Sequence, residues 1–115
     1  MHEYSIVQAL LAQVETQAAR HGATAVKRLE VRIGELSGVE IELLKTAYEM
    51  MRERTICGGA PLEITPVAPR WECRSCGHEI TQGGALQCPA CGSPARLAAG
   101  DEIVLDRIEL EVADV

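Results

Sequence analysis

Apolar residues recur along this chain with two periods, and the changes between them mark out its elements. From Ser5, Ile6, Val7, Leu10, Leu11, Val14 and Ala18 come three and four residues apart while Gln8, Gln13, Glu15 and Gln17 fall on other faces. This predicts an amphipathic helix from Ser5 to about His21. Gly22 is placed to be the left-handed residue past its end, and His21 suits the negative end of the helix dipole. Over Ala25 to Ile33 the period drops to two, Leu29, Val31 and Ile33 alternating with Arg28, Glu30 and Arg32, which predicts a strand with one wet face. The segment GELSGVE follows. Ser37 with Glu40 three residues later has the capping-box pattern, and Leu44, Ala47, Tyr48 and Met51 then predict a helix to about Arg54. Met50 and Met51 are expected to fill core space. PLEITPV, from Pro61, reads as a short strand with Leu62 and Ile64 inward and Pro66 marking a sheet edge. Ile103 to Val112 reads as a long alternating strand with Ile108, Leu110 and Val112 on one face.

Between those last two strands lies RWECRSCGHEITQGGALQCPACGSPA, and it changes the picture from patterning to chemistry. Cys73 and Cys76, then Cys88 and Cys91, form two C-x-x-C pairs separated by 11 residues, and Gly77 or Gly92 follows each pair. A C-x-x-C turn brings two thiolates to one side of a bend, and the glycine lets the chain turn back. Two such bends complete a tetrahedral all-thiolate site suited to Zn(II). A thioredoxin-like redox motif needs only one pair. Disulfides fit poorly, since Met1 to Leu10 has no basic start and no unbroken apolar core of a signal peptide, and a reducing cytoplasm is the expected location. A closed four-thiolate site has no open position for substrate, so the zinc is expected to be structural and the chain not an enzyme. Trp71 is expected to pack against the knuckles, Gln82-Gly83-Gly84 to form the turn between them, and His78 to be an exposed loop residue or a ligand offered to another site. Cys57, the unpaired cysteine, is expected to be a reduced, partly buried thiol.

Composition narrows the partners. With 115 residues the chain can build one modest domain plus a subdomain that a metal staples. It carries 11 Lys and Arg against 17 Asp and Glu, a net charge of −6, and four thiolates around one Zn(II) would add about two more negative charges. Such a chain repels polyanions, and with 3% aromatic residues it lacks stacking platforms for single strands. No apolar run is long enough to span a bilayer. The expectation is therefore neither a nucleic-acid nor a membrane protein. The reading that competes with metal handling is an acidic zinc-ribbon module for protein interaction or nucleic-acid binding.

The start of the chain, MHEYS, offers a second metal chemistry. The Met1 amine, the deprotonated His2 amide and the His2 imidazole can close a tridentate chelate of the nitrogen-rich, planar kind that suits Ni(II) or Cu(II), and Glu3 could add its amide or carboxylate. From these residues alone, a frayed and functionless terminus is the favoured reading.

Taken together, MHEYS, the helix after it, VRIGELSGVE, the two C-x-x-C-G knuckles and the final acidic strand resemble the HypA/HybF family, the nickel-insertion accessory proteins of NiFe-hydrogenase maturation. The resemblance covers essentially the whole chain. It implies an α+β fold: a two-helix, three-stranded mixed-sheet metal domain over residues 1–69 and 99–115, with an inserted four-cysteine zinc-ribbon subdomain over 70–98. It implies a cytoplasmic metallochaperone, monomer or homodimer, that carries Ni(II) as cargo to the hydrogenase large subunit alongside the GTPase HypB, and in some members serves urease accessory proteins. Matched by position, Met1, His2 and Glu3 fall on the nickel-binding start, Glu40 on an acidic position near it, and His78 on a further ligand. Cys73, Cys76, Cys88 and Cys91 fall on the structural zinc site.

Overall fold

In a computed structural model, described for residues 2–80 and 87–113, the chain runs α1 (His2–Arg20), β1 (Ala23–Gly34), α2 (Ile41–Met51), β2 (Leu62–Val67), β3 (Arg70–Cys73), β4 (Glu79–Ile80), β5 (Ala95–Ala99) and β6 (Ile103–Val112). The strands form two sheets, β2-β1-β6 and β4-β3-β5. In the first, β1 pairs parallel with β2 and antiparallel with β6. That is the mixed three-stranded sheet with two helices that the sequence predicts, and the cysteine segment lies between β2 and β6. The Gln82-Gly83-Gly84 turn lies outside the described residues, as does Met1.

The main core forms where the helices lie on the sheet. Val7, Leu10, Leu11 and Val14 from α1, Leu44, Ala47 and Tyr48 from α2, and Val26, Leu29, Val31 and Ile33 from β1 are buried together. Leu62, Ile64, Leu105, Ile108 and Leu110 close it from the neighbouring strands. Cys57 is fully buried in this core, where burial pushes its thiol up, so it behaves as a small hydrophobe. The Tyr48 hydroxyl and an Arg52 nitrogen both donate to the Ala60 carbonyl at 2.8 Å, tying α2 to the turn that enters β2. The opposite face of the sheet is wet: Arg28 pairs with Glu30, Glu63 and Glu109, and Arg32 with Asp106.

Several boundaries differ from expectation for physical reasons. α1 begins at His2 rather than Ser5, because the first turn is held from outside by a bond between Glu3 and Glu40. The Ser37/Glu40 capping box does not form. Gly38 takes φ +82°, the Ser37 hydroxyl instead accepts the Val39 N–H at 3.2 Å, and Glu40 becomes the N-cap of α2 without a side-chain cap bond. α2 stops at Met51, before the left-handed Arg54 at φ 64°. Met50 is 60% exposed and accepts the Tyr4 hydroxyl through its sulfur, so it is not core filler. Val112 is exposed as well, while Leu105 joins Ile108 and Leu110 on the core because a register shift makes Asp106 an extra residue opposite Glu30 and Val31.

The two sheets meet at a glycine contact. Gly34 N–H donates to the Glu102 carbonyl at 2.7 Å, Leu36 N–H to the Gly100 carbonyl at 2.6 Å, and Glu35 N–H to the Val67 carbonyl at 2.9 Å. The end of β1 thus grips both the outgoing and the returning connection of the cysteine segment. A Cβ on Gly34 would overlap the Gly100 carbonyl, and one on Gly100, at φ +114°, would lie 2.6 Å from the Pro69 Cα. The Glu102 carboxylate, held below the usual carboxylate range by its own N–H and by that of Gly100, braces the same turn. Gly34→Ala should therefore destabilise the chain by about 1–3 kcal/mol, read as a lower midpoint in urea unfolding at constant slope.

Candidate metal centres

The four cysteines converge as their spacing predicts. Each C-x-x-C turn is closed by the amide four residues past the pair's first member: Gly77 N–H donates to the Cys73 carbonyl at 3.1 Å and Gly92 N–H to the Cys88 carbonyl at 2.8 Å. Both glycines sit in the left-handed region, at φ 73° and 75°, which lets each chain double back. Cys73 N–H to the His78 carbonyl and Cys88 N–H to the Ser93 carbonyl complete two matching loops. The Ser75 and Ser93 hydroxyls bridge the loops at 2.9 Å. Trp71 and Ala95 pack on Cys73, Ile80 and Cys88 beneath them, the role expected of Trp71.

All four Sγ atoms lie within 4.8 Å of one another, with Cys73 to Cys91 at 3.4 Å and Cys76 to Cys88 at 3.7 Å. Neither separation is a covalent one, and all five cysteines are free. A tetrahedron with metal–sulfur bonds of about 2.3 Å has edges of about 3.8 Å, so this donor set fits a tetrahedral thiophilic ion. The Cys76 and Ser75 amides donate to the Cys73 sulfur at 3.3 Å and pull its thiol down to about 6. Four sulfurs this close cannot all ionise unless a cation sits among them. The site is also lopsided: Cys73 and Cys88 are buried, Cys76 and Cys91 exposed.

The terminal residues behave differently. His2 is exposed in the first turn of α1, whereas Glu3 is 7% exposed and the only charged residue in the buried set of the described residues. One Glu3 carboxylate oxygen accepts the Glu40 N–H at 3.1 Å, across 37 positions of sequence. That bond first, and then the N–H of Glu3 itself, hold the carboxyl below its usual range. Glu3 and Glu40 are therefore brought together, but through the Glu40 backbone, and the Glu40 side chain is exposed. His78 is exposed in the first knuckle loop, on the sheet that does not carry α1. Among the described residues the four cysteines are the one cluster of three or more metal-ligating side chains, so His2, Glu3, Glu40 and His78 form no preassembled cage. Sequence reasoning missed the Tyr4–Met50 contact and the Ser75–Ser93 bridge, which join positions that no local pattern links.

The family model described as "Hydrogenase/urease nickel incorporation, metallochaperone, hypA" matches residues 1–110. A hydrogenase maturation factor HypA from Nitrosospira multiformis is 43% identical over 96% of this chain and 97% of its own length. One from Aquifex aeolicus is 38% identical over 97% and 99%. The solution structure of the Ni metallochaperone HypA from Helicobacter pylori superposes with a TM-score of 0.75 at 30% identity, covering 96% of this chain and 98% of that one. A second solution structure, of a HypA protein, gives a TM-score of 0.83 at 32% identity over 98% of both chains.

The Glu3 bond has a testable pH signature. Its folded pKa lies below the ordinary 4.5, so its contribution is complete above that value and is lost as pH falls through the folded pKa. Without added nickel, Glu3→Ala should melt lower than the parent at neutral pH, and the gap in Tm should narrow on acidification below that point.

Proposed function

The chain belongs to the HypA family of hydrogenase/urease nickel-incorporation metallochaperones, and on that premise we propose that it binds Ni(II) at its amino terminus and delivers it to NiFe-hydrogenase, with Zn(II) held structurally by Cys73, Cys76, Cys88 and Cys91. The observation that carries the nickel reading is that α1 starts at His2, with the His2 side chain exposed and the Glu3 carboxylate anchored to Glu40. The first N–H groups of a helix have no intrahelical acceptor, so the His2 and Glu3 amides can lose their protons to a metal without breaking a helical bond. Met1 would supply the amine and His2 the imidazole, completing a planar nitrogen set that suits Ni(II). The positive end of the helix dipole opposes a dication there, and the amidate charges, with the nearby Glu3 and Glu40 carboxylates, offset it.

A site of this kind is strong enough to load and weak enough to empty. Its ligands stand at the surface and can be replaced one at a time when an accepting protein docks, while the Glu3–Glu40 bond keeps the helix start in place. His78, on the other sheet, would join only as an extra ligand. Residues 1–69 with 99–115 would form the nickel unit and 70–98 the zinc unit. Zinc would supply no chemistry beyond fixing the two knuckles. The partners we assign are the GTPase HypB, the hydrogenase large subunit and, where the client is urease, its accessory proteins, all in the cytoplasm. No helix among the described residues is long and apolar enough to cross a membrane.

Elemental analysis and calorimetry on the untagged chain should find one zinc, and one Ni(II) whose binding is abolished by His2→Ala or by a short amino-terminal extension, with zinc and circular dichroism unchanged. Nickel bound at full stoichiometry by either variant would remove the terminal site. Nickel affinity should also fall steeply with falling pH, because protons compete for the amine, the amides and the imidazole.

A further inference from the structure

The sulfurs of the two knuckles fall into two close pairs, Cys73 with Cys91 at 3.4 Å and Cys76 with Cys88 at 3.7 Å, and each pair takes one member from each knuckle. Each pair also joins an exposed cysteine to a buried one: Cys91 to Cys73, which is 0% exposed, and Cys76 to Cys88, which is 2% exposed. The chain itself keeps the knuckles in contact. Arg74 N–H donates to the Pro94 carbonyl at 3.2 Å, the Ser75 and Ser93 hydroxyls meet at 2.9 Å, and β3 pairs with β5 from Cys73 and Ala95 back to Arg70 and Ala99. None of these bonds uses a sulfur, so the pairs stay adjacent whether or not an ion lies among them. A disulfide needs each pair to close by only about 1.5 Å.

We propose that this cluster is an oxidation site for hydroperoxides, at which Cys91 and Cys76 take the first attack and Cys73 and Cys88 complete two disulfides, Cys73–Cys91 and Cys76–Cys88, that staple the knuckles in place of the ion. The proposal rests on the reading of these four cysteines as the zinc site. In the first step an exposed sulfur attacks one oxygen of the hydroperoxide. An S–O bond forms, the O–O bond breaks, and the other oxygen leaves as hydroxide or alkoxide and takes a proton from water. The buried sulfur of the same pair then attacks the sulfenic acid, so that the S–S bond forms as the S–O bond breaks and hydroxide leaves. Two thiolates have supplied the two electrons that reduce one peroxide. Each disulfide withdraws two of the four thiolate donors, so oxidation and zinc binding exclude one another.

The same geometry makes the step reversible. A dithiol reductant reaches the exposed Cys91 sulfur first, and Cys73 then departs as a thiolate that the Ser75 and Cys76 amides receive at 3.3 Å. Cys57 is an internal control. It is fully buried in the other core and lies outside the four-sulfur cluster, so it has no partner sulfur there.

The test treats the zinc-loaded, untagged chain with hydrogen peroxide beside a chromogenic zinc chelator. Peroxide should release one zinc per chain, well beyond the chelator alone, with loss of four of the five thiols, and dithiothreitol followed by zinc should restore both. Digestion after Arg and Glu puts Cys73 on residues 73–74, Cys76 on 75–79, Cys88 and Cys91 on 80–96 and Cys57 on 55–63, so mass spectrometry reads the connectivity. The segment 80–96 should be joined to both 73–74 and 75–79, with 55–63 unlinked. Two variants assign the pairs: Cys91→Ser should keep only the link from 75–79 to 80–96, and Cys88→Ser only that from 73–74 to 80–96. Circular dichroism checks that each is folded. Zinc and thiols that survive peroxide, thiol loss that dithiothreitol does not reverse, or links within a knuckle overturn the proposal and leave the zinc reading standing. A chain that takes up no zinc at all removes both.

Discussion

The fold depends on the need to cover both edges of β1. This strand holds Val26, Leu29, Val31 and Ile33 at 4% exposure or less, and that burial requires a hydrogen-bonded neighbour on each side. β2 supplies one in parallel and β6 the other antiparallel. Because β2 and β6 are separated in sequence by the cysteine segment, that segment can only be a closed excursion that leaves beside Val67 and returns at Gly100. The glycine contact between Gly34 and Gly100 is the point where the excursion is shut. The metal knuckles therefore hang from the same strand that organises the hydrophobic core, and neither sheet can be displaced far without disturbing the end of β1.

Much of this was legible in the sequence, because the relevant signals are local and periodic. The alternation in β1, the helical spacing of α1 and the paired knuckles each encode their own geometry within a few residues. Pro66 announced an edge strand, and β2 lies at an edge. The failures are all places where a distant residue decided the outcome. Ser37 and Glu40 have the letters of a capping box, but the turn at Gly38 carries the helix start past them, and the N–H of Glu40 is taken by Glu3. Met50 has the right spacing for core and is displaced to the surface, where Tyr4 meets it. In β6, Val112 shares a face with Ile108 and Leu110 but is paired with Ala23 at the very start of β1 and stays exposed.

The same distinction separates the four-cysteine cluster from the proposed terminal site. The four-cysteine set is contained in side chains whose spacing alone specifies convergence, and its geometry follows. The terminal set depends on backbone nitrogens and on an amine, groups that every chain has, so only the company of His2 and Glu3 makes it visible. What position adds is the burial of Glu3. A carboxylate expected as a candidate ligand is also the bolt between α1 and the start of α2, a role that spacing does not encode.

The uneven exposure of the knuckles has a kinetic consequence. Cys73 and Cys88 face the small apolar floor formed with Trp71, Ile80 and Ala95, while Cys76 and Cys91 face solvent. A competitor for an ion held by these four sulfurs would therefore meet Cys76 and Cys91 before Cys73 and Cys88. Escape would then be a stepwise substitution that begins at the outer pair of sulfurs, with the inner pair still placed to recapture the ion.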